Sequence, residues 1–155
     1  MKKKYSFLLS FLITFLVASN IYLLNNLQKK DASIAEDTFE SVIVIKVIDG
    51  DTVELNDSRK IRLMNINSPE KEFSNSVLAT NFMRSFENQT LKFEVTGIDK
   101  YKRYLARIYS PEYVNLNLVK LGYASKFLVD PSELKDFDRA EKNAIADGLG
   151  IWKKS

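Results

Sequence analysis

The chain has 155 residues, carries 23 Lys plus Arg against 20 Asp plus Glu, and contains neither His nor Cys. Without imidazole it cannot build a Ser-His-Asp triad, and without thiols it has no cysteine nucleophile, disulfide framework or thiolate zinc site. Any catalysis must run on carboxylates, Arg, Lys, hydroxyls or an oxygen-ligated metal.

The net charge of +3 sits at one end. Residues 1–30 hold five lysines (Lys2, Lys3, Lys4, Lys29, Lys30) and no acid, which leaves 18 basic against 20 acidic groups in residues 31–155. The excess positive charge therefore belongs to the N-terminus and not to the folded body.

In chain order, the first element is directed at a membrane. Lys2-Lys3-Lys4 precedes Tyr5–Leu24, twenty uncharged positions dominated by Leu, Phe, Ile and Val, close to the length that spans a hydrocarbon core. The basic flank favours a cytoplasmic N-terminus and export of the remaining chain, although Lys29 and Lys30 weaken the asymmetry. Residues 1–28 are expected to act as a signal peptide, cut near Val17-Ala18-Ser19, or as an uncleaved transmembrane anchor. The anchor is preferred because the run exceeds a signal core of ~7–15 residues. A buried soluble helix fits poorly, since the apolar residues cover every face. Residues 29–40 read as a polar linker, and residues 41–155 as one small domain.

Within that domain, Ser41–Ile48 is rich in β-branched residues, Thr52–Leu55 follows an Asp49-Gly50 turn, and Lys60–Ile66 alternates apolar with polar; each is predicted as a strand. Residues 74–87 carry Val77, Leu78, Phe82 and Phe86 at helical spacing. Thr90–Thr96 and Tyr104–Tyr109 read as two further strands, joined through Gly97–Arg103. Asn115 is a predicted N-cap for a short helix ending at Gly122. Asp130-Pro131-Ser132-Glu133 opens a last helix that runs to Asp147 and stops at Gly148. Leu134, Phe137, Ala140, Ala144 and Ile145 would form its core face, with Trp152 as a packing anchor. The order βββ-α-ββ-α-α predicts an α+β domain: a five-stranded OB-type β-barrel with three packed helices, preceded by the N-terminal hydrophobic helix.

Three charged segments sit in this frame: Asp49-Gly50-Asp51-Thr52, Arg62 with Asn67-Ser68-Pro69-Glu70, and Asp99-Lys100-Tyr101-Lys102-Arg103. Singly, each has an ordinary explanation as a turn, an exposed strand cation or a charged loop. Together with VNLNLVKLGYA (114–124) and LGIW (149–152), the strings VIDGDTVEL (47–55), IRLMNINSPE (61–70) and DKYKRYLARIY (99–109) are more specific. In order and approximate spacing they resemble the staphylococcal thermonuclease (micrococcal nuclease-like) family over essentially all of residues 42–152.

The resemblance implies a Ca²⁺-dependent nuclease acting on DNA and RNA, expected as a monomer. It implies that Asp51, Asn67 and the Ser68 backbone carbonyl ligate the metal, with Asp49 as an outer acid. It also implies Glu70 as general base and Arg62 and Arg103 as the grip on the scissile phosphate, with Tyr101 and Lys102 beside the substrate. Such a reaction needs an activated water, a cation and donors for developing charge, and an oxygen-only site supplies the cation without His or Cys. Paired guanidiniums match phosphate oxygens as bidentate forks.

Several positions depart from the family pattern. Asn67 stands where an Asp is expected, which removes one ligand charge and points to weaker metal binding or another divalent metal. Lys102 replaces a Gly, and a pair of tyrosines expected after the second helix appears as Leu128 and Asp130, with Phe127 the aromatic nearby. The segment between Glu70 and the first domain helix is short. The competing expectations are a catalytically weak OB-fold module that binds nucleic acid, and a membrane-anchored envelope protein that kept the fold for a protein contact.

Overall fold

The structure, a computed structural model, describes residues 14–26, 39–70 and 75–154. The chain divides into two units, Met1–Thr38 and Phe39–Ser155. In the first, residues 14–26 form helix α1, with Phe15, Leu16, Ile21 and Leu24 exposed. Among the described residues no helix is long and apolar enough to cross a membrane. The Lys2–Lys4 flank, positions 5–13 and most of the predicted linker lie outside the described residues.

The second unit runs β1 (Phe39–Asp49), β2 (Thr52–Leu55), β3 (Lys60–Leu63), β4 (Ile66–Asn67), α2 (Ser76–Arg84), β5 (Thr90–Ile98), β6 (Tyr104–Ser110), β7 (Glu112–Tyr113), α3 (Val114–Lys120), β8 (Ser125–Lys126) and α4 (Leu134–Ala146). A 3₁₀ turn at Gly150–Trp152 closes the chain. The order β3-β2-β1-β5-β6 is antiparallel between neighbours, and parallel pairing of β3 with β6, Ile61 opposite Tyr104 and Leu63 opposite Ala106, closes the barrel. The expected five-stranded OB-type barrel is present, with α2, α3 and α4 as its helices. Closure removes the open sheet edge that a five-strand meander would otherwise expose.

The β-branched run of β1 does not alternate simply. Val44 and Val47 are buried while Ile43 and Ile45 are exposed, a parity change that comes from a register shift between Val44 and Lys46. A bulge of this kind frees backbone groups and bends the strand. The Val47 N–H is satisfied by Glu87 Oε1 at 2.8 Å, just beyond α2. The inner face then joins Val53, Leu55, Ile61, Leu63, Leu91, Phe93 and Ile108 in one core with α2, α3 and α4.

Several local expectations are corrected. Lys60–Ile66 is not one strand: it breaks at Met64-Asn65, where Asn65 takes φ +67°, and resumes as β4, paired with β8. Asn tolerates the left-handed region better than most residues, so the chain turns there. Asn115 does not cap α3, which begins at Val114 after Tyr113. Its fully buried amide instead accepts from Ile108 N at 3.1 Å and donates to Met64 O and Ala106 O, both at 3.0 Å. That pairing outweighs capping because all three backbone groups lie where the sheet ladder breaks.

Helix α4 starts at Leu134, not at the Asp130 signature. Asp130 accepts from Ser132 N at 2.9 Å and Ser132 Oγ at 2.6 Å, closing a turn ahead of the helix, and the Glu133 side chain reaches Asn65 and Arg107 instead of folding back. Phe137, Ala140 and Ala144 are buried as expected, whereas Leu134 and Ile145 are exposed, so the buried stripe is narrower than the apolar one. On α2 the buried residues are Ser76, Ala79 and Met83, with Phe82 and Phe86 half-buried and Val77 exposed. At the C-terminus Ile151 N donates to Gly122 O at 2.8 Å, and side chains at Gly122 or Gly150 would collide with the facing backbone.

Replacing Asn115 by Leu should destabilise the domain by about 2–4 kcal/mol, because the Met64 carbonyl and the Ile108 N–H lose their bond to it in a dry site and the Ala106 carbonyl keeps only Met64 N. Urea unfolding checks this; a loss below about 0.5 kcal/mol would contradict the assigned role.

Candidate active site

The Asp49–Thr52 hairpin turn carries the first acids. Asp49 Oδ1 accepts from Asp51 N at 3.1 Å, which shapes the turn. The Asp51 carboxylate points inward: Oδ2 accepts from Ser68 N at 2.8 Å and Ser68 Oγ at 3.0 Å, and Oδ1 from Thr52 Oγ1 at 3.2 Å. Gly50 lies so close beneath Ser68 and Ala79 of α2 that a Cβ would fall on both side chains. Here glycine is required by space, not by a left-handed backbone.

Arg62 arrives from β3, beside Thr52 on β2. Its Nη2 lies 3.2 Å from Asp51 Oδ2 and donates to Asn67 Oδ1 at 3.1 Å, while Nη1 donates to the Leu63 carbonyl. The guanidinium thus spans the gap between two side chains expected to hold metal. Burial pushes the Asp51 carboxyl above the ordinary carboxylate value, against the opposing pull of Arg62 and the Ser68 donors. Burial likewise lowers Arg62, opposed by Asp51 and reinforced by the nearby Arg103.

Asn67 and Ser68 are placed by the β4–β8 pairing, in which Asn67 faces Ser125 and Ser125 Oγ donates to the Asn67 carbonyl at 3.2 Å. Arg103 comes from the loop before β6 and is held by Asp99, which accepts from its backbone N at 2.9 Å and from Nε and Nη2 at 2.8 Å. Desolvation works to raise Asp99, but the hydrogen bonds from Arg103 and Tyr101 hold it below the usual carboxylate value. Arg103 also reaches Thr52 Oγ1 at 3.4 Å. The exposed Tyr101 ring carries Lys100 Nζ at 5.0 Å and Arg103 Cζ at 5.4 Å from its centroid.

These segments enclose a cleft of about 580 Å³. Asp49, Asp51, Arg62, Asn67, Ser68, Glu70, Tyr101 and Arg103 all line it. Lys102 does not: it is exposed on a left-handed turn at φ +64°, the conformation a glycine supplies without strain. Phe127 and Leu128 form an exposed apolar rim, whereas Asp130 is turned to Ser132 and Arg107. Residues 71–74, the short segment after Glu70, lie outside the described residues.

Among the described residues no group of three or more acids is placed to hold a metal ion. The cleft's donors are hard oxygens: the Asp51 carboxylate, the Asn67 amide and the nearby Asp49. They fit a hard divalent cation in kind, with little formal charge to hold it because Asp51 is already paired to Arg62. Asp99 and Lys100 join the cleft without having been expected as site residues; the i, i+4 spacing of Asp99 to Arg103 is the signal that marks the first of them. Nothing in local sequence marks Asn65, which ties β4 to the Phe127 segment.

A family profile described as "Staphylococcal nuclease homologue" matches residues 60–154. The chain belongs to this staphylococcal nuclease family. It is 39% identical over 123 residues to a protein of Escherichia coli O157:H7 described as an uncharacterized endonuclease, covering 70% of this chain and 80% of that one. A thermonuclease of Staphylococcus intermedius is 30% identical over 130 residues, covering 74% and 77%. A Haemophilus influenzae protein, also described as an uncharacterized endonuclease, is 33% identical over 118 residues, covering 70% and 64%. The Asp49-Gly50-Asp51 turn and Arg62 of the neighbouring strand line one cleft.

Gly50→Ala should cost about 1–3 kcal/mol through overpacking against Ser68 and Ala79. Gly97→Ala is the control, since a Cβ there meets nothing within 4 Å. Equal unfolding midpoints for the two variants would refute the close approach.

Proposed function

We propose that this chain is a metal-dependent nuclease that hydrolyses phosphodiester bonds of DNA and RNA. The observation carrying this reading is the convergence of Arg62, Arg103, Asp51 and Glu70, from separate segments, on one cleft. Membership of the staphylococcal nuclease family supports it.

Arg62 and Arg103 are the grip on the scissile phosphate. Arg62 is held by Asp51, Asn67 and the Leu63 carbonyl, and Arg103 by Asp99, so both forks are oriented before substrate arrives. Donors fixed in advance stabilise charge that builds on phosphoryl oxygens without reorganising during the reaction. Glu70, exposed at the cleft edge, takes the proton from the attacking water. Asp51, Asn67 and the Ser68 carbonyl would hold Ca²⁺ or another divalent ion, with Asp49 outside them, which when bound draws charge from the phosphate. Tyr101, with Phe127 and Leu128 opposite, offers apolar surface to a nucleobase. Lys102 reaches the flanking backbone from outside the cleft.

The basic flank and apolar run of residues 1–28 favour a position outside the cytoplasm, anchored in the membrane or secreted. Fractionation of expressing cells tests this: full-length protein extracted only by detergent supports the anchor, and a shortened soluble form supports cleavage.

With the full chain in mild detergent, single-stranded DNA should be cleaved with Ca²⁺ and left intact with chelator. Arg62→Ala should lower kcat/KM by about 10²–10³ and Glu70→Ala by about 10²–10⁴. A wild type no faster than these variants with any divalent ion would leave the weak binding module as the better account. Asn67→Asp should tighten Ca²⁺ binding, read by titration calorimetry; weaker binding would remove position 67 from the ligand set.

Because the domain lacks a broad excess of cations, binding to single strands should rest on two or three phosphate contacts. The slope of log K against log salt should then be about −1.5 to −2. A slope beyond about −4 would point to an extended basic surface instead.

A further inference from the structure

Asn65 is 3% exposed and sits at φ +67°. If the corner between β3 and β4 needed only that backbone shape, glycine would supply it with less strain. The side chain is instead fully used. Its Nδ2 donates to Glu133 Oε1 at 3.0 Å and to Tyr113 Oη at 3.3 Å, and its Oδ1 accepts from Asp130 N at 3.0 Å. Its backbone carbonyl accepts from Phe127 N at 2.8 Å.

Those bonds grip both ends of the Phe127–Asp130 segment, the rim of the cleft. Within the rim only Val129 packs against the core: Phe127 is 50% and Leu128 83% exposed, and Leu128 is held at φ +46°, an unfavourable place for leucine. Just after Asn65, β4 brings Asn67 and then Ser68 into the lining of the same cleft. Glu133 is anchored in turn by Arg107, which also meets Glu94 at 3.3 Å and Asp130 at 3.4 Å.

We infer that Asn65 is a positioning residue for substrate capture: it locks the Phe127–Asp130 rim to the strand bearing Asn67 and Ser68, and so sets how tightly a nucleic-acid strand is held. The inference rests on the nuclease reading for the identity of the ligand. Loss of the tie loosens the rim and leaves Arg62, Arg103 and Glu70 in place, so substrate capture weakens while the chemical step is kept.

Asn65→Gly keeps the backbone shape and deletes the amide. In the full chain its KM for a single-stranded oligonucleotide should rise roughly tenfold, with kcat within about twofold. Amide exchange at Phe127–Asp130 should quicken by roughly tenfold or more. Asn65→Asp sets a carboxylate against Glu133 and should raise KM further. A fall in kcat at unchanged KM, or unaltered rim exchange, would overturn the proposal. If the wild type cleaves nothing, the nuclease reading fails by itself, and oligonucleotide Kd with rim exchange decides the role of Asn65.

Discussion

The Asp51 carboxylate is nearly sealed from solvent and lies 3.2 Å from the Arg62 guanidinium, with Ser68 and Thr52 donating to its two oxygens. Withdrawing two charges from water is costly, and the mutual attraction offsets that cost only when hydrogen bonds satisfy the remaining lone pairs and protons. The surroundings meet that condition. Ser68 approaches from beyond β4, Thr52 from β2, and Asn67 and the Leu63 carbonyl each accept one bond from Arg62. The pair therefore constrains the β1–β2 hairpin, β3 and the strand after the Asn65 corner to a single arrangement. The cleft is the space that arrangement leaves.

Around this pair, polar side chains perform joins that a small barrel cannot make with ladder bonds alone. Where the β3 ladder breaks, Asn115 donates to the carbonyls of Met64 and Ala106. Where β1 bulges, Glu87 takes the free Val47 N–H. The Arg107 cluster fastens the start of α4 to β5 and β6. Each is buried or half-buried and hydrogen-bonded, so they specify geometry at places where apolar packing would accept several. The cations of the cleft follow the same economy, with Arg62 and Arg103 each held in place by an acid.

Much of the fold was legible locally. The β-branched runs, the Asp49-Gly50 turn and the helical spacing in residues 74–87 and 134–145 announced most of the elements. The errors share a cause: a polar side chain with a strong local preference found a better partner far away in sequence. Asn115 left the capping position for three buried backbone groups, and Glu133 left its capping box for Asn65 and Arg107. β4 and β8, two residues each, are too short for periodicity to reveal and exist because they pair with one another. In the cleft, all the expected side chains but Lys102 came together.

Composition alone confined the chemistry to carboxylates, guanidiniums and oxygen ligands, and the ordered motifs were enough to indicate the family. Those are properties of residue type and spacing, which survive any detail of packing. Only the tertiary structure decided that Arg62 spans the gap between Asp51 and Asn67, that Gly50 is demanded by the closeness of Ser68 and Ala79, and that Asn65 ties the rim to the start of β4. These are distances between segments up to 65 residues apart along the chain. They are set by closure of the barrel and by which buried polar groups can be satisfied together, which no local stretch of sequence encodes.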